Sequence, residues 1–391
     1  MRPCCVHLLV MRHVLLWTSD SKTDLSAELN SVLTGLETSV HSAGLLEVRP
    51  GSIGGWPVPL PQLAFARQLL PFVRPVAAQS INSWAALLVE AIRDEVPEGG
   101  PWMLHVEPHY GERKAPRIGA RAWHRMRKYS APPPSIEKAA GQVDPAAGRR
   151  RCQFIREACI KSLRQNCRGR LKHLKEEPGT FAEADSIAQL VLTTPTEGFL
   201  SIATCPFPFK NRHLLSPYPL GEISLAADPG APSRAFAKLV EAERRLGGAI
   251  GPGQRCVDLG AAPGSWTYVA VHRGASVIAV DRSPLRRDLM ESNAVRFVSS
   301  DAFTFRPSQP VDWLLCDVIA EPKRSAGLLV EWMENAWCKR FVVTLKFKGS
   351  PDFSVLAGLR ERMPGLCSEW QMKRLCANKN EVCVFGVAER D

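Results

Sequence analysis

None of the twelve cysteines stands in a Cys-x-x-Cys pair, and Cys256, Cys316 and Cys383 sit inside apolar runs. That spacing excludes a zinc ribbon and a disulfide scaffold, and it suits reduced core thiols of a cytosolic protein. No segment is long and apolar enough to span a membrane. The apolar run at 6–17 is broken by His7, Arg12 and His13 and leads to no small-residue cleavage site, so it reads as a buried strand rather than a signal peptide. No internal repeat is present. Acidic residues are scarce: 50 Lys and Arg face 39 Asp and Glu, a net charge of +11, which points to an anionic partner, with nucleic acid first among the candidates.

The basic excess is concentrated. Between residues 111 and 175 there are 18 Lys and Arg against 4 Asp and Glu. Within that stretch residues 130–148 read as a Pro- and Gly-containing loop. Residues 152–174 read as a helix with Phe154, Ile155, Ala158, Cys159 and Leu163 on its apolar side and Arg156, Arg164, Arg168, Arg170 and Lys172 elsewhere. Such a charge run suits a solvated helix face or a phosphate-tracking surface equally well. Before it the pattern is mixed α+β, with strands at 45–48 and 102–106, a Gly/Pro-rich connection at 50–61, and a helix at 83–92 capped by Asn82 or Ser83. Residues 186–194 and 199–204 suit a strand pair. The resulting division is an accessory α+β domain at 1–62, a region with a basic insertion at 63–205, a linker at 206–231, and a last domain at 232–391. In that last domain a helix at 233–246 precedes about seven strands, most separated by helices, which predicts an α/β fold with a largely parallel sheet.

The most informative stretch is Val257-Asp258-Leu259-Gly260-Ala261-Ala262-Pro263-Gly264-Ser265-Trp266, a strand, a turn of small residues and the start of a helix. Asp281 closes the next apolar run, where a carboxylate accepts hydrogen bonds from ribose hydroxyls. The turn lacks the Gly-x-Gly-x-x-Gly spacing, and Pro263 removes an amide that a pyrophosphate would use. A ligand with a ribose and no phosphates fits better, and S-adenosylmethionine is the common one. Asp281, Asp301, Asp317 and Lys346 all fall at strand ends, where an open parallel sheet binds its ligands. Taken singly, each acid is as well explained as a cap or turn former. Lys346 ends an apolar strand and would act as a base if burial lowered its pKa. Lys348 lies two residues on and faces the same side, so spacing leaves both open.

The motif at 258–264, the helix Pro232-Ser233-Arg234-Ala235-Phe236-Ala237-Lys238-Leu239, the segment Trp313-Leu314-Leu315-Cys316-Asp317, Trp332, Trp337-Cys338 and Leu345-Lys346 together resemble the RrmJ/FtsJ-type ribose 2′-O-methyltransferases. The similarity is nearly collinear from about 231 to 391 and patchy before that, where Phe65-Ala66-Arg67-Gln68 matches an N-terminal half containing a THUMP-like RNA-binding module. The resemblance implies a Rossmann-like domain with a mostly parallel seven-stranded sheet. It also implies a catalytic tetrad of Lys346 as proton acceptor, Lys238 and Asp317 holding the hydroxyl, and Glu381 orienting the lysines. It places the methionine end of S-adenosyl-L-methionine against Ala262, Pro263, Gly264 and Ser265, with Trp266 beside them, its ribose on Asp281, its adenine amine on Asp301, and its sulfonium near Asp317. Trp266 alone would be read as packing the helix on the sheet. The family usually carries a second glycine where Ser265 stands, and a cofactor-contacting serine where Ala235 stands. The expected partner is RNA, 23S rRNA at a cytidine ribose, handled by a cytoplasmic monomer without metal. Other RNAs, such as tRNA or an mRNA cap, and a non-catalytic ribosome-assembly role are the alternatives.

Overall fold

The structure, a computed structural model, describes residues 13–16, 22–32, 36–42, 44–50, 61–110, 145–178, 185–203, 213–223, 225–347 and 353–388. The expected strand start at 6–12, residues 51–60 of the connection, residues 111–144 with most of the expected loop at 130–148, residues 206–212 and 224 of the linker, and Lys348 lie outside the described residues. The chain divides into two compact units, one of Leu70–Glu176 with Ala184–Cys205, the other of Met1–Leu69, Glu177–Glu183 and Pro206–Asp391.

At the start of the chain β1 (His13–Leu16), α1 (Lys22–Val32), β2 (Leu36–Ser42), β3 (Leu45–Pro50) and β4 (Gln68–Leu70) form a sheet ordered β2-β3-β1-β4. Both pairs that β3 makes are antiparallel. Leu25 and Leu29 of α1 are fully buried, as are Leu45 and Val48 of β3.

In the smaller unit β5 (Arg74–Ala77), α2 (Ile81–Glu95), β6 (Trp102–Pro108), α3 (Pro145–Asn166), α4 (Arg168–Leu171), β7 (Ser186–Leu192) and β8 (Glu197–Ala203) give a sheet ordered β5-β8-β7-β6. β6 and β7 are parallel and β7 and β8 antiparallel. Helix α2 begins earlier than the sequence suggests. Ser80 is its cap, its hydroxyl accepting from the Ser83 amide at 3.1 Å while the Ser83 hydroxyl accepts from the Ser80 amide at 2.9 Å. Ser83, expected as a cap, is the reciprocating partner of a capping box. Helix α3 also starts earlier, at Pro145, whose fixed φ suits a first helical position, and it ends at Asn166 because Cys167 leaves helical geometry at φ −144°. Its buried stripe is Cys152, Ile155, Cys159 and Leu163, spaced three, four and four apart. Phe154 falls off that stripe and is 45% exposed, contrary to its expected place on the apolar side.

The last domain contains α5 (Phe236–Leu246), β9 (Arg255–Leu259), α6 (Ser265–His272), β10 (Ser276–Asp281), α7 (Arg287–Met290), β11 (Val295–Ser299), β12 (Val311–Cys316), α8 (Pro322–Glu334), β13 (Cys338–Lys346), α9 (Ser354–Arg362), β14 (Cys367–Lys373) and β15 (Glu381–Ala388). These strands make the expected seven-stranded sheet, ordered β11-β10-β9-β12-β13-β15-β14. β9 to β13 pair in parallel, and β15 runs antiparallel to both of its neighbours. Their apolar runs are two-sided because helices cover the sheet: Val257, Leu259, Trp313, Leu314, Val342 and Val343 are fully buried. The strand order turns back between β9 and β12, so a crevice opens beyond their carboxyl ends. Helix α5 starts at Phe236, three residues later than expected, because the Ser233 hydroxyl takes the Ala235 amide at 3.2 Å and holds the preceding turn.

Candidate active site

The turn after β9 is shaped by its small residues. Gly260 has φ +73°, and a Cβ there would lie 2.8 Å from the Cα of Val318, so the bare backbone lets the end of β9 approach the loop after β12. Gly264 has φ +105° and stands just before α6. Ser265 is therefore the first helical residue, and the left-handed backbone falls on Gly264. The Ser265 hydroxyl is 2.7 Å from that of Ser233. Trp266 is buried, and its indole N–H donates to the Ala235 carbonyl at 2.8 Å, tying α6 to the entry of α5. Ala235 thus serves through its backbone, whatever its side chain lacks.

Asp281 closes the turn from the other side. One carboxylate oxygen accepts from the Ala262 amide at 3.0 Å and the other from the Ser283 amide at 2.8 Å. A carboxylate can accept about four hydrogen bonds, so it keeps capacity for a ribose diol. A small-residue cradle beside a carboxylate of this kind fits S-adenosylmethionine. Asp301, at the end of β11, accepts from the Phe303 amide at 2.9 Å and pairs with Arg282 at 2.6 Å and Arg324 at 3.7 Å. The Phe303 amide, with the two arginines, holds its carboxyl below the usual range despite partial burial. None of these partners belongs to the tetrad.

Asp258 was expected only as part of the motif, yet it is a fully buried acid. It accepts from the Thr267 amide at 2.9 Å and the Thr267 hydroxyl at 2.7 Å, so it clamps the first turn of α6 onto β9. Burial pushes its carboxyl up to about 7; the Thr267 bonds pull the other way, and Asp317 and Asp281 push it up further. Asp258 thus feels both the turn and the tetrad. A buried residue inside a strand carries no pattern that marks such a role.

Four residues from four segments meet beside this turn. Lys238 on α5 lies 2.7 Å from the Asp317 carboxylate and 3.2 Å from that of Glu381. Lys346 donates to the Asp317 carbonyl at 2.6 Å and lies 3.0 Å from its carboxylate. Lys346 and Glu381 are register partners across β13 and β15. Asn378 supports this end of the sheet, donating to the Glu381 carbonyl at 2.9 Å. Two lysines and two acids meet here, and Lys238, the most buried of the four, is paired with both acids. Burial opposes charge on Lys238, but Asp317 and Glu381 outweigh it and raise its pKa above the ordinary lysine value. Cys383 is also nearby, but burial pushes its thiol up to about 12, so it is neutral at pH 7 and adds no charge. Lys238 therefore stays an ammonium at neutral pH, which disqualifies it as a proton acceptor.

Among the described residues no group of His, Cys, Asp or Glu is arranged to hold a metal, and no helix is long and apolar enough to cross a membrane.

Residues 231–333 match the FtsJ-like methyltransferase family. The ribosomal RNA large subunit methyltransferase M of Alkalilimnicola ehrlichii is 28% identical to this chain, over 96% of it and 95% of the relative. The protein of that name from Cellvibrio japonicus is 35% identical over 49% of this chain, and the one from Thauera aminoaromatica 42% identical over 45%. In those two alignments the chain spans 57% and 51% of the relative's length.

Proposed function

We propose that this chain, whose residues 231–333 match the FtsJ-like methyltransferase family and which is similar along nearly its whole length to one ribosomal RNA large subunit methyltransferase M, transfers a methyl group from S-adenosyl-L-methionine to a ribose 2′-hydroxyl of RNA, a cytidine of 23S rRNA. The observation that carries this reading is the meeting of Lys238, Asp317, Lys346 and Glu381 beside the small-residue turn.

A ribose hydroxyl is a poor nucleophile until it loses its proton, and it must meet the methyl group in line. The donor supplies an activated methyl on a sulfonium, so no metal is required. The cradle from Ala262 to Ser265 and the carboxylates of Asp281 and Asp301 hold it. Lys346, in its neutral form, takes the hydroxyl proton at Nζ. Lys238, kept charged, donates to the hydroxyl oxygen and steadies its developing negative charge. Asp317 holds both lysines, and Glu381 orients them from the neighbouring strand.

The region at 63–205 acts as a THUMP-like RNA-binding module. The solvent face of α3 supports this, with Arg149, Arg150, Lys161 and Arg164 exposed on it. An unstacked nucleotide then enters the crevice while the module holds flanking RNA. The protein works in the cytoplasm as a monomer.

The test is transfer of labelled methyl from S-adenosylmethionine to naked rRNA transcripts by the purified protein. Lys346→Ala is expected to lower the rate by about 10²- to 10⁴-fold, the span of a lost general base, with cofactor affinity retained. Transfer that survives Lys346→Ala but is lost in Lys348→Ala would place the base at the wrong lysine. Cofactor binding without transfer to any RNA would favour the assembly role.

A further inference from the structure

The end of the catalytic strand is braced by residues that come from the opposite end of the sequence. Phe347 directly follows Lys346, is buried, and donates its amide to the Asn380 carbonyl at 2.8 Å, next to Glu381. Its ring packs edge-on against Phe353, with centroids 4.9 Å apart, and Phe353 packs in the same way against Phe65 at 4.8 Å. Phe65 is 3% exposed.

The backbone that carries Phe65 is held at nearly every polar atom. Arg360 donates to the Gln62 carbonyl at 2.8 Å, and Lys373 to the carbonyls of Leu63 at 3.0 Å and Ala66 at 2.7 Å. The Ala64 carbonyl accepts the Arg374 amide at 2.7 Å. The amides of Ala64 and Phe65 donate to Glu28 at 2.8 and 3.1 Å, and Glu28 in turn pairs with Arg360. A segment whose backbone is held this way by Glu28, Arg360, Lys373 and the Arg374 amide is a rigid support, because releasing these bonds would strand buried polar groups.

We propose that the segment at 62–66 is a positioning strut for the catalytic strand end, acting through the stack Phe65, Phe353 and Phe347 on Lys346 and Glu381. This rests on the methyl-transfer reading. Phe65 touches neither substrate nor cofactor. Its ring stops the Phe353 and Phe347 rings from relaxing, and with them the last residue of β13 and its register partner on β15. A general base displaced by about 1 Å costs on the order of 10²-fold in rate.

The experiment compares the full chain with Phe65→Ala and Phe65→Leu, in kinetics and in amide hydrogen exchange. Phe65→Ala is expected to lower kcat by roughly 30- to 100-fold while KM for rRNA and the Kd of S-adenosylhomocysteine stay within about twofold, and Phe65→Leu to recover most of the loss. The Phe347 amide should exchange at least about tenfold faster in Phe65→Ala, and the Gly260 amide, bonded to the Val280 carbonyl at 2.9 Å, at an unchanged rate. If Phe65→Ala does not fold, Phe65→Leu carries the comparison, with a smaller fall in kcat and a smaller rise in exchange. Unchanged kcat in a folded variant, unchanged exchange at Phe347, or an equal loss of cofactor affinity would overturn the strut. Exchange is read without turnover, so a wild-type protein that transfers no methyl counts against the methyl-transfer reading, and the exchange result still decides whether the strut exists.

Discussion

The turn after β9 takes its parts from nine consecutive residues, 258–266, closed by Asp281 from the next strand. The tetrad takes one residue from each of four segments, and Lys238 and Glu381 lie 143 positions apart. The turn is governed by backbone: φ +73° at Gly260, φ +105° at Gly264, and a carboxylate that takes the Ala262 amide. The tetrad is governed by charge, two lysines and two acids gathered around the buried Lys238. The first should therefore fail by strain and the second by uncompensated charge.

The largest effect is expected where charge balance is broken. Asp317→Ala leaves Lys238, which is buried, with only Glu381 as counter-ion. Removing one member of a buried ion group costs about 3 to 5 kcal/mol. Methyl transfer should fall by at least about 10³-fold, with a lower urea midpoint. A stable, active Asp317→Ala would mean the four residues do not act as a balanced set.

A smaller effect, without any change of charge, is expected in the turn. Gly264→Ala places a Cβ at φ +105°, 2.4 Å from the Leu289 side chain. Strain at such a φ costs about 1 to 3 kcal/mol, and the flexible leucine end absorbs part of the clash. Cofactor affinity measured by calorimetry should drop while the tetrad keeps its geometry. Equal affinity would show that the turn does not shape the cofactor cradle.

An effect that appears only as a pH dependence links the two regions through Asp258. Its folded pKa of about 7 lies above the ordinary 3.8, so its contribution to stability is complete below about pH 4 and is lost as pH rises to about 7, on the order of a few kcal/mol at most. Asp258→Asn keeps an acceptor for Thr267 and cannot ionise. Urea midpoints at pH 5 and pH 8 should differ less for the variant than for the wild type, and parallel profiles would rule out burial of an ionising Asp258.

The strands of the last domain were legible because two-sided burial writes apolar runs into the chain, with helical patterns between them, and β9, β10 and β11 follow those runs closely. Edges of helices were less legible. Ser80, not Asn82 or Ser83, caps α2, since which hydroxyl meets which amide depends on where the chain turns. Phe154 reads as apolar, yet it lies off the inward stripe of Cys152, Ile155, Cys159 and Leu163 and is exposed. The strut was invisible, since Gln62 and Arg360 are 298 positions apart and neither belongs to a motif.

By itself the sequence determined the parallel sheet, the small-residue turn and the acids at strand ends. These depend on local periodicity and on backbone freedom that only small residues provide. The tertiary structure alone decided that Lys238 remains an ammonium, that Asp258 is an acid buried between two carboxylates, and that Phe65 braces Lys346. Each depends on a desolvated environment assembled from distant segments, and the energy of a buried charge or ring is set by the groups that surround it.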